Sequence, residues 1–357
     1  MMLPQSPQTP STPPTSGRLL ALVDAMAGRS VAMLVDLVAD LFITGTPKRI
    51  SREAPVLILS YQGERLIPGG GANAVANVAA LGGRPLPLGV VGDDEAGRKL
   101  LAELAGRGID TSGLFVRAGY RTPTKVRILG GGRHSIKQQI VRYDIEDTLS
   151  LVGDERDRFA TTLEHWRAAG PVPVAILSDY GYGAVEPELL PRLREALGPE
   201  TVVVCDSRYR LGDFIGLDGA TPNEEEAEAL LGRTFDDDPE RLETGGRRLL
   251  DRLGARFLLI TRGSRGMSLF ETGGSMHLPV HGTDQVADVT GAGDTVIGTF
   301  ALALAAGATP LESALLANYA GGVVVMKMGT ATLTPDELRR AIESNAQPIE
   351  EMQWARS

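Results

Sequence analysis

One cysteine among 357 residues excludes an intrachain disulfide, and Cys205, inside the apolar run Thr201-Val-Val-Val-Cys, reads as a core residue in a reducing compartment. Histidine is almost as scarce. Of His134, His165, His277 and His281, only the last two stand four apart, and Pro279 opposes the helix that would bring them onto one face, so ordinary surface histidines are expected. Basic residues are outnumbered: 36 Lys and Arg against 45 Asp and Glu leave a net charge of −9, which argues against nucleic acid as the main partner. No apolar stretch reaches the roughly 18 uncharged residues of a membrane span. The first basic residue is Arg18, so there is no secretory signal pattern and a cytoplasmic location is expected. A G-x-x-x-x-G-K-[ST] loop is missing, which excludes a P-loop enzyme, and there is no internal repeat.

What is present is a hydrophobic content of 43%, enough to bury one α/β core of about 300 residues with an appendage. Residues 1–17, with five prolines and six Ser or Thr, read as a disordered tail. Leu19, Leu20, Leu22, Val23 and Met26 have helical spacing and open a domain expected over 18–345, followed by a C-terminal tail at 346–357. Val31 to Val35 reads as a buried strand. From Leu86 onward strands and helices alternate: 86–91, 94–107, 174–177, 187–197, 201–205, 223–231, 239–253, 257–261, a helix after Asp294 and another at 311–327. Alternation on this scale predicts an α/β fold with a mostly parallel sheet covered on both faces. Two segments break the pattern. Residues 42–67 read as short strands outside the main sheet, and 121–145 as a hairpin around Gly130-Gly131-Gly132, together making a small sheet able to cover a site.

The stretch Asp288-Val-Thr-Gly-Ala-Gly-Asp-Thr-Val-Ile-Gly precedes an apolar helical run. A first helical turn has unpaired N–H groups and partial positive charge, so Gly291, Ala292 and Gly293 can present backbone donors to a phosphate. Asp294 would repel that anion unless it had a task such as taking a proton from an attacking hydroxyl, and the pairing reads as phosphoryl transfer to an alcohol. The plainer alternative is an acid-capped helix start whose glycines only make the turn. Asp36 and Asp40 follow the first strand at its C-terminal edge, where they are either hydroxyl ligands or ordinary turn acids. In Pro68-Gly-Gly-Gly-Ala-Asn, Gly69 and Gly70 permit close backbone approach and Asn73 suits a diol. Gly69, Gly71 and Ala74 also fit a loose dinucleotide pattern, but no clear parallel strand precedes them.

With Asp288, Thr290 and Thr295 included, the 288–298 string resembles the signature of the ribokinase-like (B-type phosphofructokinase) sugar kinases. The resemblance extends from about 31 to 345. Through Asp36 to Asp40, Arg49-Ile-Ser-Arg-Glu-Ala-Pro-Val, Pro68 to Asn73, Lys125-Val-Arg, Leu177-Ser-Asp-Tyr-Gly and Thr221-Pro-Asn it is most similar to the D-glycero-D-manno-heptose 7-phosphate kinases, including the kinase half of a bifunctional ADP-heptose synthesis protein. It implies a three-layer sandwich with a β lid, often shared between two subunits, and ATP with Mg²⁺ as donor. Asp294 would be the base, Gly291 to Gly293 the anion hole, and Asp40 and Asn73 sugar contacts. Asn223 and Glu226 match an N-x-x-E motif that places Mg²⁺, while Thr261, Gly263 and Gly266 form the nucleotide loop, with Asn318 near the adenine. Asp288 and the backbone of Thr290 would flank a monovalent cation, K⁺ being expected. Lys125, Arg127 and Arg142, joined by Arg49 and Arg52, are expected to converge on the phosphate of a sugar phosphate; their plain alternative is a solvated lid surface. Departures occur at Val35, where a glycine is usual, at Tyr182, often basic, and at Ser207-Arg208, where Asp-Pro-Lys is usual; they bear on substrate more than on reaction. Neither a nucleotidylyltransferase domain nor its H-x-G-H motif is present, so a separate protein is expected to supply that step. A ribokinase- or fructokinase-type enzyme and a non-catalytic sugar-phosphate sensor are the competing expectations.

Overall fold

The computed structural model describes residues 14–132, 137–282, 287–327 and 329–356. Most of the expected tail, together with His134 and the turn of the expected hairpin, lies outside them. The first helix is α1 (Ser16–Ala25), capped by the Thr15 hydroxyl and starting two residues earlier than its apolar spacing implies. In the first half follow β1 (Ser30–Val35), β2 (Leu37–Ile50), β3 (Leu57–Gly70), α2 (Gly71–Ala80), β4 (Arg84–Gly92), α3 (Glu95–Gly106), β5 (Leu114–Arg117), β6 (Thr124–Gly130), β7 (Gln138–Ile145) and α4 (Gly153–Ala169). The second half runs β8 (Val174–Asp179), α5 (Leu189–Leu197), β9 (Val202–Ser207), β10 (Gly219–Ala220), α6 (Glu224–Leu231), α7 (Pro239–Leu253), β11 (Phe257–Thr261), β12 (Met267–Glu271), β13 (Gly274–Leu278), α8 (Ala292–Ala305), α9 (Pro310–Val324), α10 (Pro335–Ser344), α11 (Gln347–Glu350) and β14 (Gln353–Arg356).

Ten strands form one sheet in the order β14-β13-β12-β11-β10-β9-β8-β1-β4-β5, parallel from β11 to β5 and antiparallel from β12 to β14. Strand alternation sends Val31, Met33 and Val35 of β1 to one core with α1, α2, α8 and α9, and Ala32 and Leu34 to the other with α4, α5 and α7. The reversal at β12 follows from Gly266, at φ +79°, where an added Cβ would lie 2.0 Å from the Leu278 carbonyl oxygen.

The second sheet, β3-β2-β6-β7, is the expected lid, built differently from expectation in one respect. Residues 42–67 are not short strands: β2 and β3 each run 14 residues and pair antiparallel from Leu37–Gly70 to Ile50–Leu57, with bulges after Thr44 and Pro47. Shifts of register there bend the ribbon without ending it, so proline and glycine did not break it. β2 also pairs parallel with β6, and β6 antiparallel with β7, as the hairpin reading requires. Residues 347–356, expected as a tail, instead form α11 and the edge strand β14 on β13.

Candidate active site

The site lies at the C-terminal edge of the parallel strands, where α8 begins. Gly291 adopts φ +77°, and a Cβ there would meet the Asn73 amide nitrogen at 2.5 Å, so the turn into α8 requires glycine. Gly293 opens directly onto a cavity, and Asp294, 2% exposed, stands in the first turn. Its Oδ1 accepts a 2.6 Å hydrogen bond from the Tyr180 hydroxyl and its Oδ2 a 3.0 Å bond from Asn73 Nδ2. Asn77 donates to the Asn73 side-chain oxygen at 3.2 Å, which fixes which way that amide faces. Burial pushes the Asp294 carboxyl up to about 6, against the lowering influence of Tyr180, Asn73 and Lys125.

Asp40 is brought to the same place from the start of the lid. Its Oδ1 accepts from Arg127 Nη1 at 2.5 Å and its Oδ2 from the Thr330 hydroxyl at 3.0 Å. At Gly69 a Cβ would sit 2.7 Å from that carboxylate; at Gly70, φ +51°, it would strike Val38. Asp36 is not brought in. Its buried carboxylate accepts from the amides of Tyr180, Tyr182 and Ala184, each at 2.9 Å, so it shapes the loop that carries Tyr180, and burial pushes it up to about 6.

The five lid cations do not converge. Arg127 is committed to Asp40 and lies over the Phe42 ring, while Arg142 donates twice to Asp144 at 2.8 and 2.6 Å. Lys125 remains, its ammonium 5.5 Å from the centre of the Tyr180 ring and its proton affinity lowered by burial. Arg49 near the far end of β2 and Arg52 just past it are exposed, about 30 Å or more along the strand from Asp40 at strand rise. Arg208, absent from the expected set, takes their place. It lines a cavity of about 370 Å³ with Lys125, Arg142, Asp144 and Glu146, and among the described residues it forms no ion pair.

On the other side of Tyr180 a cavity of about 650 Å³ is lined by Arg208, Asp206, Asn223, Glu226, Gly291 and Gly293. Asn223 and Glu226 form a reciprocal cap on α6, each bond 2.9 Å, and Glu226 also faces the cavity. Burial raises the proton affinity of Glu226 and of Asp206, with Glu226 adding repulsion to Asp206. Two acids that oppose each other's ionisation fit a shared divalent cation, although among the described residues no group of three or more potential ligands occurs. A carboxylate ending a parallel strand was the signal that could have singled out Asp206.

Beyond Gly293 a cavity of about 270 Å³ is lined by Thr261, Gly263, Gly266 and Asn318 among apolar residues. Asn318 donates to the Pro279 carbonyl at 2.7 Å and so holds the cavity wall. Asp288 accepts from the amides of Thr290 at 2.9 Å and Gly329 at 3.0 Å; burial raises its proton affinity, and these bonds outweigh burial to leave it lowered.

Solved structures share this architecture. Phosphofructokinase-2 of Escherichia coli in complex with substrates and products superposes with a TM-score of 0.69 at 17% identity, covering 88% of this chain and 99% of that one. Arabidopsis thaliana ribokinase complexed with ribose and ATP gives 0.68 at 20%, covering 89% and 99%. The fold is thus the ribokinase-like α/β sandwich with a lid. The chain belongs to the pfkB family of carbohydrate kinases, whose family model matches residues 39–154 and 191–337, and it is an ATP-dependent sugar kinase. Curated relatives include bifunctional HldE proteins of Mesorhizobium japonicum, 39% identical over 335 residues, and Caulobacter sp. strain K31, 40% identical over 325. These alignments cover 92% and 90% of this chain but only 65% and 64% of the relatives.

Proposed function

We propose that this kinase phosphorylates the anomeric hydroxyl of a sugar that already carries a phosphate, D-glycero-D-manno-heptose 7-phosphate fitting best and giving the 1,7-bisphosphate. The observation that carries the reading is the cavity into which Lys125 and Arg208 face, with Arg142 paired to Asp144 and with Glu146 on its wall; it shares Tyr180, the hydrogen-bond partner of Asp294, with the cavity at Gly291 and Gly293. Lys125 and Arg208, neither in an ion pair among the described residues, suit a substrate phosphate better than an unphosphorylated sugar. Relatives named bifunctional HldE agree with the motif resemblance to a heptose 7-phosphate kinase.

In the reaction, Asp294 takes the proton of the acceptor hydroxyl as its oxygen attacks the γ-phosphorus and the bond to the bridging oxygen of ADP breaks. The amides of Gly291 and Gly293, which line the cavity, would face the developing charge, while that of Ala292 donates to the Val289 carbonyl at 3.2 Å. Glu226, with Asp206 opposite, would hold Mg²⁺, which neutralises phosphate charge. Asn73 and Asp40 orient the sugar, and the loop of Thr261, Gly263 and Gly266 with the wall held by Asn318 takes the nucleoside. Asp288 and Thr290 would hold K⁺, an ion present in one solved structure of the E. coli phosphofructokinase-2. With the enzyme present, a solution of ATP, Mg²⁺ and heptose 7-phosphate should develop a second sugar-phosphate resonance, coupled to the anomeric proton. A new resonance at any other carbon overturns the assignment of the hydroxyl.

A further inference from the structure

The base is held by a group that neither the motif reading nor the family comparison assigns. We infer that Tyr180 is a positioning residue for the reaction, fixing one oxygen of Asp294 and favouring its ionised form by donating its phenolic proton to Oδ1. This rests on the reading of Asp294 as the base. The contact is 2.6 Å, the length of a charge-assisted O–H to carboxylate bond. Tyr180 is pinned from both sides: its amide donates to Asp36, and Lys125 lies over its ring. A Cβ on Gly70 would come within 3.3 Å of that ring, so the glycine strand packs tightly against its edge.

The surroundings of Asp294 divide by charge. Tyr180 from the loop after β8, Asn73 from α2 and Lys125 from β6 favour the carboxylate, while Asp40 from β2 and Asp206 from β9 oppose it. Burial drives the Tyr180 phenol far above its ordinary range, so it stays protonated wherever Asp294 titrates and can only donate. A carboxylate oxygen accepts two hydrogen bonds, so Oδ1 can hold Tyr180 and still receive the acceptor's hydroxyl. The proton therefore passes from the sugar oxygen to Asp294, and Tyr180 keeps its own throughout.

The test is the pH profile of kcat and kcat/KM in Tyr180→Phe, which keeps the ring and removes the donor. Loss of a hydrogen bond to the ion raises the pKa of the base, so the acid limb moves to higher pH by about one to two units. The plateau falls several-fold, and KM for ATP stays within about twofold. Replacement of Tyr180 by 3-fluorotyrosine, a more acidic phenol, moves the limb the other way and keeps the test open should the Phe variant fold poorly. A limb that stays in place in both variants overturns the inference, as does a Phe variant in which only KM rises, the mark of a packing role. Asp294→Asn separates the two levels: if it retains most of its kcat, the base reading itself fails; if it is inactive and the limb is unmoved, only the role of Tyr180 fails.

Discussion

A carboxylate in the first turn of α8 is an acid placed where a helix welcomes an anion, and its surroundings explain why it stays. Asp294 is fixed on both oxygens and buried, with a proton affinity raised into the range useful to a base. Asp294→Asn should retain the fold and bind ATP while kcat drops by about 10² to 10⁴ in a coupled ADP-release assay. Residual activity near the parent enzyme would remove Asp294 from the mechanism. The sequence carried Asp294 and Asn73 because each stands beside glycines whose spacing is informative, and Asp40 because it follows a buried strand. Tyr180, Asp206 and Arg208 were harder to read, because their roles depend on loops after β8 and β9 that meet only in three dimensions. Asp36 was legible as an acid at a strand end but not as a backbone acceptor, a distinction only the path of residues 180–184 supplies.

At the scale of elements, period and punctuation gave the alternating second half closely, since each buried parallel strand is a short apolar run between helices. α4 carries little apolar period: Phe159, Leu163 and Trp166 alone make its buried face within a highly charged helix. The lid strands were under-read because Pro47 and Gly63 mimic chain breaks, whereas bulges absorb such residues in a bent ribbon. The turn before α8 illustrates how one element couples to another: Asp288 ties Thr290 to Gly329, joining the approach to α8 with the loop that presents Thr330 to Asp40. A cation ordering this junction should act on both. Rates measured at constant Mg²⁺ are therefore expected to be several-fold higher in K⁺ than in a bulky organic cation, and equal rates in K⁺, Na⁺ and the organic ion would exclude such a site.

For the whole molecule, the lid poses the main energetic question. Its outer strands expose Leu57 and Tyr61 on β3 and Val141 and Tyr143 on β7, between 43% and 64% accessible, beside open strand edges. Such edges are an association hazard unless covered, and a second copy would cover them symmetrically. Light scattering at micromolar concentration should give twice the 37.9 kDa chain mass, with Tyr61→Lys plus Tyr143→Lys shifting the species toward the monomer. A wild-type monomer would contradict lid pairing. Among the described residues no helix is long and apolar enough to cross a membrane.

The proposed acceptor arrives at Asp294 already carrying a phosphate. The most direct measurement compares kcat/KM by coupled ADP release for heptose 7-phosphate, fructose phosphates, fructose, ribose and nucleosides, in the parent enzyme and in Arg208→Ala. The account predicts that heptose 7-phosphate leads by at least tenfold and that Arg208→Ala narrows this lead, mainly through KM. An unphosphorylated sugar with the highest kcat/KM, or a preference untouched by loss of Arg208, would contradict it.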